Sequence, residues 1–171
     1  MDEIKQPGQT AETILSMNGT RSMESTGEGE TRELGEKLGK NAAPGQVYIL
    51  LGDLGVGKTV FTQGFAKGLG IAEPVNSPTF TILQIYEEGR LPFYHFDAYR
   101  IGDVEEMEEI GYEDCFYGEG VCLIEWGNLI EETLPEHYTE ITIEKDLEKG
   151  FDYRKITITE KEKLIGSEGR R

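Results

Sequence analysis

Residues 47–59 read VYILLGDLGVGKT, and this stretch decides the fold class. Its first five residues are apolar without alternation, a pattern typical of a central strand that is covered on both faces. The next eight residues match the phosphate-loop pattern G-x-x-x-x-G-K-[ST] in full. Downstream, apolar residues recur every four positions and predict a helix over residues 58–69. A strand, a glycine loop and a helix in this order predict an α/β fold of the P-loop NTPase type.

A loop of this kind binds phosphate because its glycines let several backbone N–H groups point at one centre beside a helix N-terminus. Lys58 is expected to reach the β and γ phosphates, and the Thr59 hydroxyl to ligate Mg²⁺. The alternative is an ordinary glycine-rich turn, which the adjacent Lys and Thr disfavour. The predicted nucleotide-binding residues of this stretch are Gly52, Asp53, Leu54, Gly55, Val56, Gly57, Lys58, Thr59 and Val60.

An Mg·nucleotide site also needs an acidic residue at the end of a neighbouring buried strand. Glu125 meets this requirement because it directly follows four apolar residues, 121–124. A solvated acid at a strand end is the alternative, since the chain has 33 acidic residues. Beside a phosphate loop, we favour a metal-binding and catalytic role for Glu125.

Asp97 is a second acidic candidate, on the same face of a predicted strand as His95 and Tyr99. Its predicted catalytic role is to orient the attacking water or to bind a metal-bound water. The alternative is a salt bridge to Arg100. We interpret His95 as a packed strand residue rather than a base.

A loop that follows Pro74 contains Ser77 and Thr79. A switch segment that contacts the γ-phosphate could lie here, so both residues are candidate switch residues. Composition alone indicates only a turn.

The chain has 171 residues, with 17 Lys+Arg and 33 Asp+Glu, which gives a formal net charge of −16. This length predicts one domain. The negative charge argues against direct clamping of RNA or DNA, because phosphate contacts need clustered Lys and Arg. No apolar run is long enough for a membrane span, and the N-terminus lacks the apolar region of a signal peptide. We therefore expect a cytoplasmic protein.

The expected organisation is an arm over residues 1–22, a nucleotide-binding domain over 23–159 and a tail over 160–171. The arm is interpreted as loose or as a short edge strand. Ser25 and Glu28 fit a capping box before a short helix. Two antiparallel hairpins, over 80–96 and 140–159, complete a three-layer α/β fold whose mixed sheet has parallel central strands.

Four motifs carry a resemblance to one family. They are GDLGVGKT at 52–59, SPTF at 77–80, HFDAYR at 95–100 and IEW at 124–126. In this order and spacing they resemble the TsaE family, formerly called YjeE. That family is the ATPase component of bacterial tRNA adenosine-37 threonylcarbamoylation, and the resemblance covers roughly residues 23–159.

The resemblance implies that the cofactors are ATP and Mg²⁺, with Mg²⁺ held by Thr59 and Glu125. It also implies that Asp97 takes part in ATP hydrolysis, that Glu28 and Thr31 lie near the adenine, and that the region of Arg154 closes over the nucleotide. The implied partners are a TsaB–TsaD pair, which the ATP cycle resets or gates. tRNA would be contacted only through those partners.

Three other functions are compatible with a phosphate loop. A small-molecule kinase uses the same loop but usually needs several arginines, and residues 60–150 contain only Arg90 and Arg100. A GTPase would need an N-K-x-D stretch, and Asn128 is followed instead by Leu-Ile-Glu. A binding module ordered by ATP without turnover is the non-enzymatic alternative.

Overall fold

The structure is a computed structural model that describes residues 14–15 and 19–163. Its strands are β1 (Ile14–Leu15), β2 (Thr20–Ser25), β3 (Val47–Leu51), β4 (Leu83–Tyr86), β5 (Phe93–Asp97), β6 (Val121–Glu125), β7 (His137–Lys145) and β8 (Arg154–Glu162). Its helices are α1 (Glu28–Asn41), α2 (Lys58–Gly68), α3 (Val104–Glu109), α4 (Tyr112–Phe116) and a 3₁₀ helix (Gly127–Thr133). Across the described ranges, no helix has both the length and the apolar character that crossing a membrane would require.

All eight strands form one mixed sheet in the order β1-β2-β8-β7-β3-β6-β5-β4. The four central strands β7, β3, β6 and β5 are parallel to one another. The outer strands pair antiparallel, with β4 on β5 at one side and β8, β2 and β1 at the other. The predicted parallel centre with antiparallel hairpins is confirmed.

Helices cover both faces of this sheet and make three layers. On one face, Phe65 of α2 is buried in the same cluster as Leu50 of β3. On the other face, Met107 of α3 and Phe116 of α4 share a cluster with Ile49 of β3. Because alternate residues of β3 enter opposite clusters, this strand is buried on both faces, as its unalternating apolar run predicts. Each fully buried Phe contributes about 1.5–3 kcal/mol to stability.

Glycines allow α1 and α2 to pack backbone against backbone. A Cβ atom at Gly64 would overlap the carbonyl oxygen of Arg32, and one at Gly68 would overlap that of Glu36. The two glycines, four residues apart on α2, therefore permit this close packing. It anchors α2, whose first turn carries the phosphate loop's lysine.

The predicted capping box of Ser25 and Glu28 is wrong. Ser25 is the last residue of β2 and is fully buried, so the helix begins later, at Glu28. The N-cap residue is Gly27, which has no side chain to cap with, while the Glu30 carboxylate accepts hydrogen bonds from the backbone N–H of Thr26 at 3.2 Å and from its hydroxyl at 2.8 Å. The spacing of Ser25 and Glu28 fits a capping box, but Ser25 belongs to strand β2 and is paired in the sheet.

The last hairpin is longer than expected at both outer ends. β7 begins at His137 rather than at residue 140, and β8 continues to Glu162 rather than ending at residue 159. Residues 160–162 of the expected tail pair with residues 137–139. Residues 20–25 pair with β8, so this part of the chain is a strand. The remainder of the expected arm and tail, at 1–13, 16–18 and 164–171, lies outside the described residues.

Candidate functional site

The phosphate loop connects the end of β3 to the start of α2. Gly52 has φ 157°, Gly55 has φ 76° and Gly57, the residue that precedes α2, has φ 113°. Side chains with a Cβ rarely adopt such angles, which is why glycine occupies these positions. Positive φ at three places within six residues gives the loop the curled backbone that phosphate binding needs.

Lys58 is buried beneath this loop. Its ammonium donates a hydrogen bond to the carbonyl oxygen of Gly52 at 2.6 Å and lies 4.1 Å from the ring centroid of Trp126. Burial lowers the pKa of Lys58, while the negative charges of Glu125 and Asp97 oppose that shift. A buried ammonium with one carbonyl partner has donors left for an anion in the loop.

Four residues form what we call the acidic cluster: Ser77, His95, Asp97 and Glu125. Asp97 ends β5, Glu125 ends β6, and the two are paired in register. Both acids are nearly buried, 5% and 4% exposed. The Ser77 hydroxyl oxygen lies 2.8 Å from Oε2 of Glu125 and 3.0 Å from Oδ2 of Asp97. One hydroxyl carries one proton, so Ser77 donates to only one of the two acids at a time.

Asp97 is held by three donors and makes no ion pair with Arg100. Besides Ser77, the Thr79 hydroxyl lies 3.3 Å from Oδ2, and the backbone N–H of Tyr99 donates to Oδ1 at 3.0 Å. The guanidinium of Arg100 lies 4.7 Å from the ring centroid of Phe80 instead. The predicted alternative, an Asp97–Arg100 salt bridge, is therefore wrong.

Glu125 is kept ionised by its neighbours. Burial acts to raise its pKa, but the hydrogen bonds of His95 and Ser77 and the charge of Lys58 outweigh burial and lower the pKa. His95 is 1% exposed, and its Nε2 lies 3.2 Å from Oε2 of Glu125. An ionised carboxylate in a nearly dry position is suited to binding a cation.

This contact of His95 with Glu125 is not among those predicted from the sequence. The residue is packed as interpreted, stacked on Phe93 at 5.8 Å, but it also faces Glu125. The available signal was the strand parity that places His95 and Asp97 on one face. The parallel pairing of β5 with β6, which brings Glu125 to that face, has no local signature.

The phosphate loop lines one cavity of about 440 Å³ together with Ser77, Asp97 and Glu125 of the acidic cluster. Of the predicted residues, this cavity brings together Glu28, Leu54, Gly55, Gly57, Lys58, Thr59, Val60, Ser77, Thr79, Asp97 and Glu125. Tyr99, Arg100 and Trp126 complete its wall. Phosphate-binding residues and buried acids therefore face the same space.

A second cavity of about 260 Å³ lies on the other side of the loop and shares Glu28, Gly55, Gly57 and Val60 with the first. Its other lining residues are Gly27, Thr31, Val56, Lys145, Phe151, Asp152 and Arg154. Asp53 is exposed and lines neither cavity. Gly52 lines neither cavity and contributes its carbonyl to Lys58.

Thr31 and Arg154 are both committed to protein contacts at this second cavity. The Thr31 side chain is buried and its hydroxyl lies 2.8 Å from that of Ser25. Arg154 donates from Nε to the carbonyl of Val56 at 2.8 Å, which ties β8 to the phosphate loop. Through Arg154, the wall of the second cavity is hydrogen-bonded to the backbone of the phosphate loop.

The oxygen donors at the first cavity fit a magnesium ion. Mg²⁺ prefers oxygen ligands and is usually bound through one or two carboxylates with retained waters. Glu125 supplies a buried carboxylate, and the exposed Thr59 lines the same cavity. The residues present are therefore suited to holding Mg²⁺ beside a phosphate.

A larger cavity, of about 590 Å³, lies at the C-terminal end of α2 and contains none of the predicted site residues. Size alone would make this cavity the preferred candidate for the functional site. The chemistry favours the cavity at the phosphate loop, because only there do a buried lysine and two buried acids meet.

Comparisons with known proteins place the chain among close relatives. The family model described as "Threonylcarbamoyl adenosine biosynthesis protein TsaE" matches residues 25–156. The chain is similar to the tRNA threonylcarbamoyladenosine biosynthesis protein TsaE of Bacillus subtilis, at 51% identity over 130 residues, which cover 76% of this chain and 79% of that protein. The protein of the same name from Treponema pallidum is 45% identical over 114 residues, covering 67% and 84%.

Its fold is similar to a solved structure. The crystal structure of Bacillus subtilis YdiB matches with a TM-score of 0.72 and 41% identity, over 84% of this chain and 87% of that one. The residues matched by the family model include every predicted site residue, from Glu28 to Glu125.

Proposed function

We propose, from the premise that the chain belongs to the TsaE family of threonylcarbamoyl adenosine biosynthesis proteins, that it is an Mg²⁺-dependent ATPase serving the t6A modification of tRNA. One observation carries the proposal: a phosphate loop with a buried lysine and two buried acids line a single cavity. Neither part alone distinguishes a nucleotide site from a glycine-rich turn or a buried polar cluster. Together they supply what binding and hydrolysing an Mg·nucleotide requires.

Binding of the nucleotide rests on the loop and Lys58. The backbone N–H groups of the loop and the N-terminus of α2 attract the phosphates. Lys58 exchanges its hydrogen bond with the Gly52 carbonyl for hydrogen bonds with the β and γ phosphate oxygens. The indole of Trp126 lies over Lys58 and limits the access of water to that ammonium.

Hydrolysis is an in-line attack of water on the γ-phosphate. Asp97 accepts a hydrogen bond from that water and orients it, while Thr79 and the Tyr99 amide fix the carboxylate. Charge that develops on the phosphoryl oxygens is stabilised by Lys58 and the loop amides. Mg²⁺, held through Thr59 and Glu125, would neutralise charge on the β and γ oxygens.

The nucleoside end is proposed to occupy the smaller cavity on the far side of the loop. Glu28 and Thr31 belong to its wall, as do the exposed ring of Phe151 and Arg154. This cavity adjoins the phosphate cavity through shared loop residues, so one extended ligand could fill both.

The ATP cycle is proposed to act on a TsaB–TsaD-like partner pair in the cytoplasm. Ser77 and Thr79 contact the acids of the site, and the next residue, Phe80, is 84% exposed. A change at the γ-phosphate would thus be transmitted to the surface within three residues. Because the net charge is −16, contact with tRNA is left to the partners.

A small-molecule kinase is disfavoured by the placement of the arginines. The Arg90 guanidinium lies within 2.6–2.9 Å of the carbonyl oxygens of Gly39, Lys40 and Ala42, where it caps α1. Only Arg100 of residues 60–150 then remains at the cavity. A phosphoryl transfer between two bound substrates usually uses several such cations.

The decisive experiment measures phosphate release from ATP and from GTP with Mg²⁺, by the chain alone and with the purified partner pair. We expect slow release from ATP, less from GTP, and stimulation when the partners are added. Turnover that the partners leave unchanged would contradict a partner-directed switch. Tight ATP binding without release under any condition would instead support the non-enzymatic binding module.

A matched pair of lysine variants controls this experiment. Lys58→Ala removes the buried ammonium and is expected to lower ATP affinity or turnover by at least about 100-fold. Lys67→Ala removes an exposed lysine of the same helix, whose contact is a 3.7 Å surface pair with Glu36, and is expected to leave both unchanged. Wild-type binding and turnover in Lys58→Ala would refute the site.

A further inference from the structure

We infer that His95 is a positioning residue for the metal-binding carboxylate: its Nε2–H donates to Glu125 and holds that carboxylate toward the phosphate cavity. The inference rests on the proposed function and deepens it. It assigns a functional role to a histidine whose burial could be explained by strand packing alone. The observation behind it is the 3.2 Å contact between Nε2 and Oε2 of Glu125, with both side chains nearly buried.

Sheet topology creates this contact. His95 is paired across the strands with Leu123, and Asp97 with Glu125. Alternation along each strand puts His95, Asp97, Leu123 and Glu125 on one face. His95 therefore meets Glu125 as a diagonal neighbour, two residues back from the strand end, and does not itself line the cavity. Both His95 and Ser77 contact Oε2 of Glu125, so among the described residues Oε1 has no hydrogen-bond donor and is left for a cation.

The direction of the hydrogen bond follows from the other ring nitrogen. Nδ1 of His95 is buried and has no hydrogen-bond partner among the described residues. A proton on Nδ1 would be a buried donor without an acceptor, whereas an unprotonated Nδ1 leaves only a lone pair unpaired. A carboxylate oxygen accepts hydrogen bonds, so the 3.2 Å contact with Oε2 of Glu125 also places the proton on Nε2. The two demands agree on the tautomer with hydrogen on Nε2.

The ring is also fixed in orientation. It stacks on Phe93, the residue two positions earlier on β5, with ring centroids 5.8 Å apart and planes at 23°. A histidine that only filled space would need neither a carboxylate in reach nor a fixed ring plane. Partners of this kind orient metal ligands, and their removal typically lowers metal affinity about 10–100-fold.

The first test uses the wild-type protein and measures the tautomer directly. Two-dimensional ¹⁵N–¹H NMR of histidine-labelled protein distinguishes Nε2–H from Nδ1–H in the folded state. We expect the Nε2–H form for His95, assigned by comparison with a His137→Gln variant that leaves His95 as the single histidine. An Nδ1–H form would overturn the inference, whatever the variants show.

The second test compares two amide substitutions. The amide nitrogen of Gln reaches about as far as Nε2, while that of Asn ends near Nδ1, so His95→Gln keeps the donor to Glu125 and His95→Asn loses it. We measure nucleotide affinity with a fluorescent ATP analogue in EDTA, and then across an Mg²⁺ titration. His95→Asn should raise the Mg²⁺ concentration for half-saturation at least about tenfold, and His95→Gln should stay within about threefold of wild type.

Affinity in EDTA should stay unchanged in both variants, because the phosphate loop is intact. Equal Mg²⁺ responses of His95→Asn, His95→Gln and wild type would overturn the positioning role. Glu125→Gln separates this failure from a failure of the proposed function. If Glu125→Gln also leaves the Mg²⁺ titration unchanged, the metal site itself is wrong; if only the His95 variants do, the metal site stands and His95 is structural.

Discussion

The phosphate loop and the acidic cluster face each other across one cavity but are built in opposite ways. The loop is eight consecutive residues whose shape comes from glycines with positive φ. The acidic cluster joins residues as far apart as Ser77 and Glu125, 48 positions, through side-chain hydrogen bonds. The loop is thus encoded locally, and the cluster exists only once β5 and β6 are paired.

The phosphate loop and the acidic cluster also differ in their exposure to solvent. Asp53, Leu54 and Gly55 of the loop are exposed, whereas Asp97 and Glu125 are nearly buried. Lys58 connects the loop to the cluster, because it is a loop residue and interacts electrostatically with both Glu125 and Asp97. We therefore expect changes in the loop to act on nucleotide affinity, and changes in the cluster to act on turnover and on the response to Mg²⁺.

The largest effect is expected for Asp97→Asn. The amide keeps the size of the side chain but is a poorer acceptor for the attacking water, so turnover should fall about 100-fold or more. ATP affinity should change less than about threefold, because the loop is untouched. Phosphate release at saturating ATP, together with a binding titration, measures both quantities.

The control for Asp97→Asn is Asp53→Asn, in an exposed loop residue that lines neither cavity. It should leave turnover within about twofold of wild type. If Asp97→Asn lowered affinity as much as turnover, the separation between loop and cluster would not hold.

A smaller effect is expected when the loop is strained. Gly57 has φ 113°, and no atom lies within 4 Å of the position that a Cβ would take. Gly57→Ala therefore adds backbone strain without a steric clash, at a cost of about 1–3 kcal/mol. ATP affinity should fall about tenfold, while turnover of the bound nucleotide changes less. Titration with ATP and single-turnover kinetics distinguish the two.

Gly29→Ala is the matched control, because that glycine also has open space and lies in the first turn of α1 without a positive φ. Its ATP affinity should equal that of wild type. A Gly57→Ala variant with unchanged affinity would show that the loop tolerates other backbone shapes when it binds phosphate.

The contrast between loop and cluster also explains what could be predicted from sequence. The strand, loop and helix over residues 47–69 follow from a contiguous pattern, and the structure has them within one residue of the predicted limits. Asp97 and Glu125 could be proposed because each follows apolar residues at the end of a strand. The structure adds that the two are paired in register.

Contacts between distant segments could not be predicted. The link from His95 to Glu125 depends on a parallel pairing of strands that lie some thirty residues apart. The predicted capping box of α1 is wrong for a related reason. Ser25 matched the local pattern, but the pairing of β2 with β8 buries it in the sheet. In each case a tertiary contact overrides what the local sequence indicates.

The smallest effect is expected at the bridge between the two acids. Ser77→Ala removes a hydroxyl within hydrogen-bonding distance of both Asp97 and Glu125, and a hydrogen bond of this kind is worth about 0.5–1.5 kcal/mol. Loss of this donor leaves Glu125 held by His95 alone and Asp97 by Thr79 and Tyr99. The Mg²⁺ concentration for half-maximal turnover should therefore shift about threefold.

Thr79→Val is the matched variant, because that hydroxyl contacts Asp97 but has no hydrogen bond to Glu125. It should lower turnover slightly and leave the Mg²⁺ response unchanged. Equal Mg²⁺ responses of the two variants would mean that Ser77 serves Asp97 alone, and the acids would then act as two separate groups rather than as one bridged cluster.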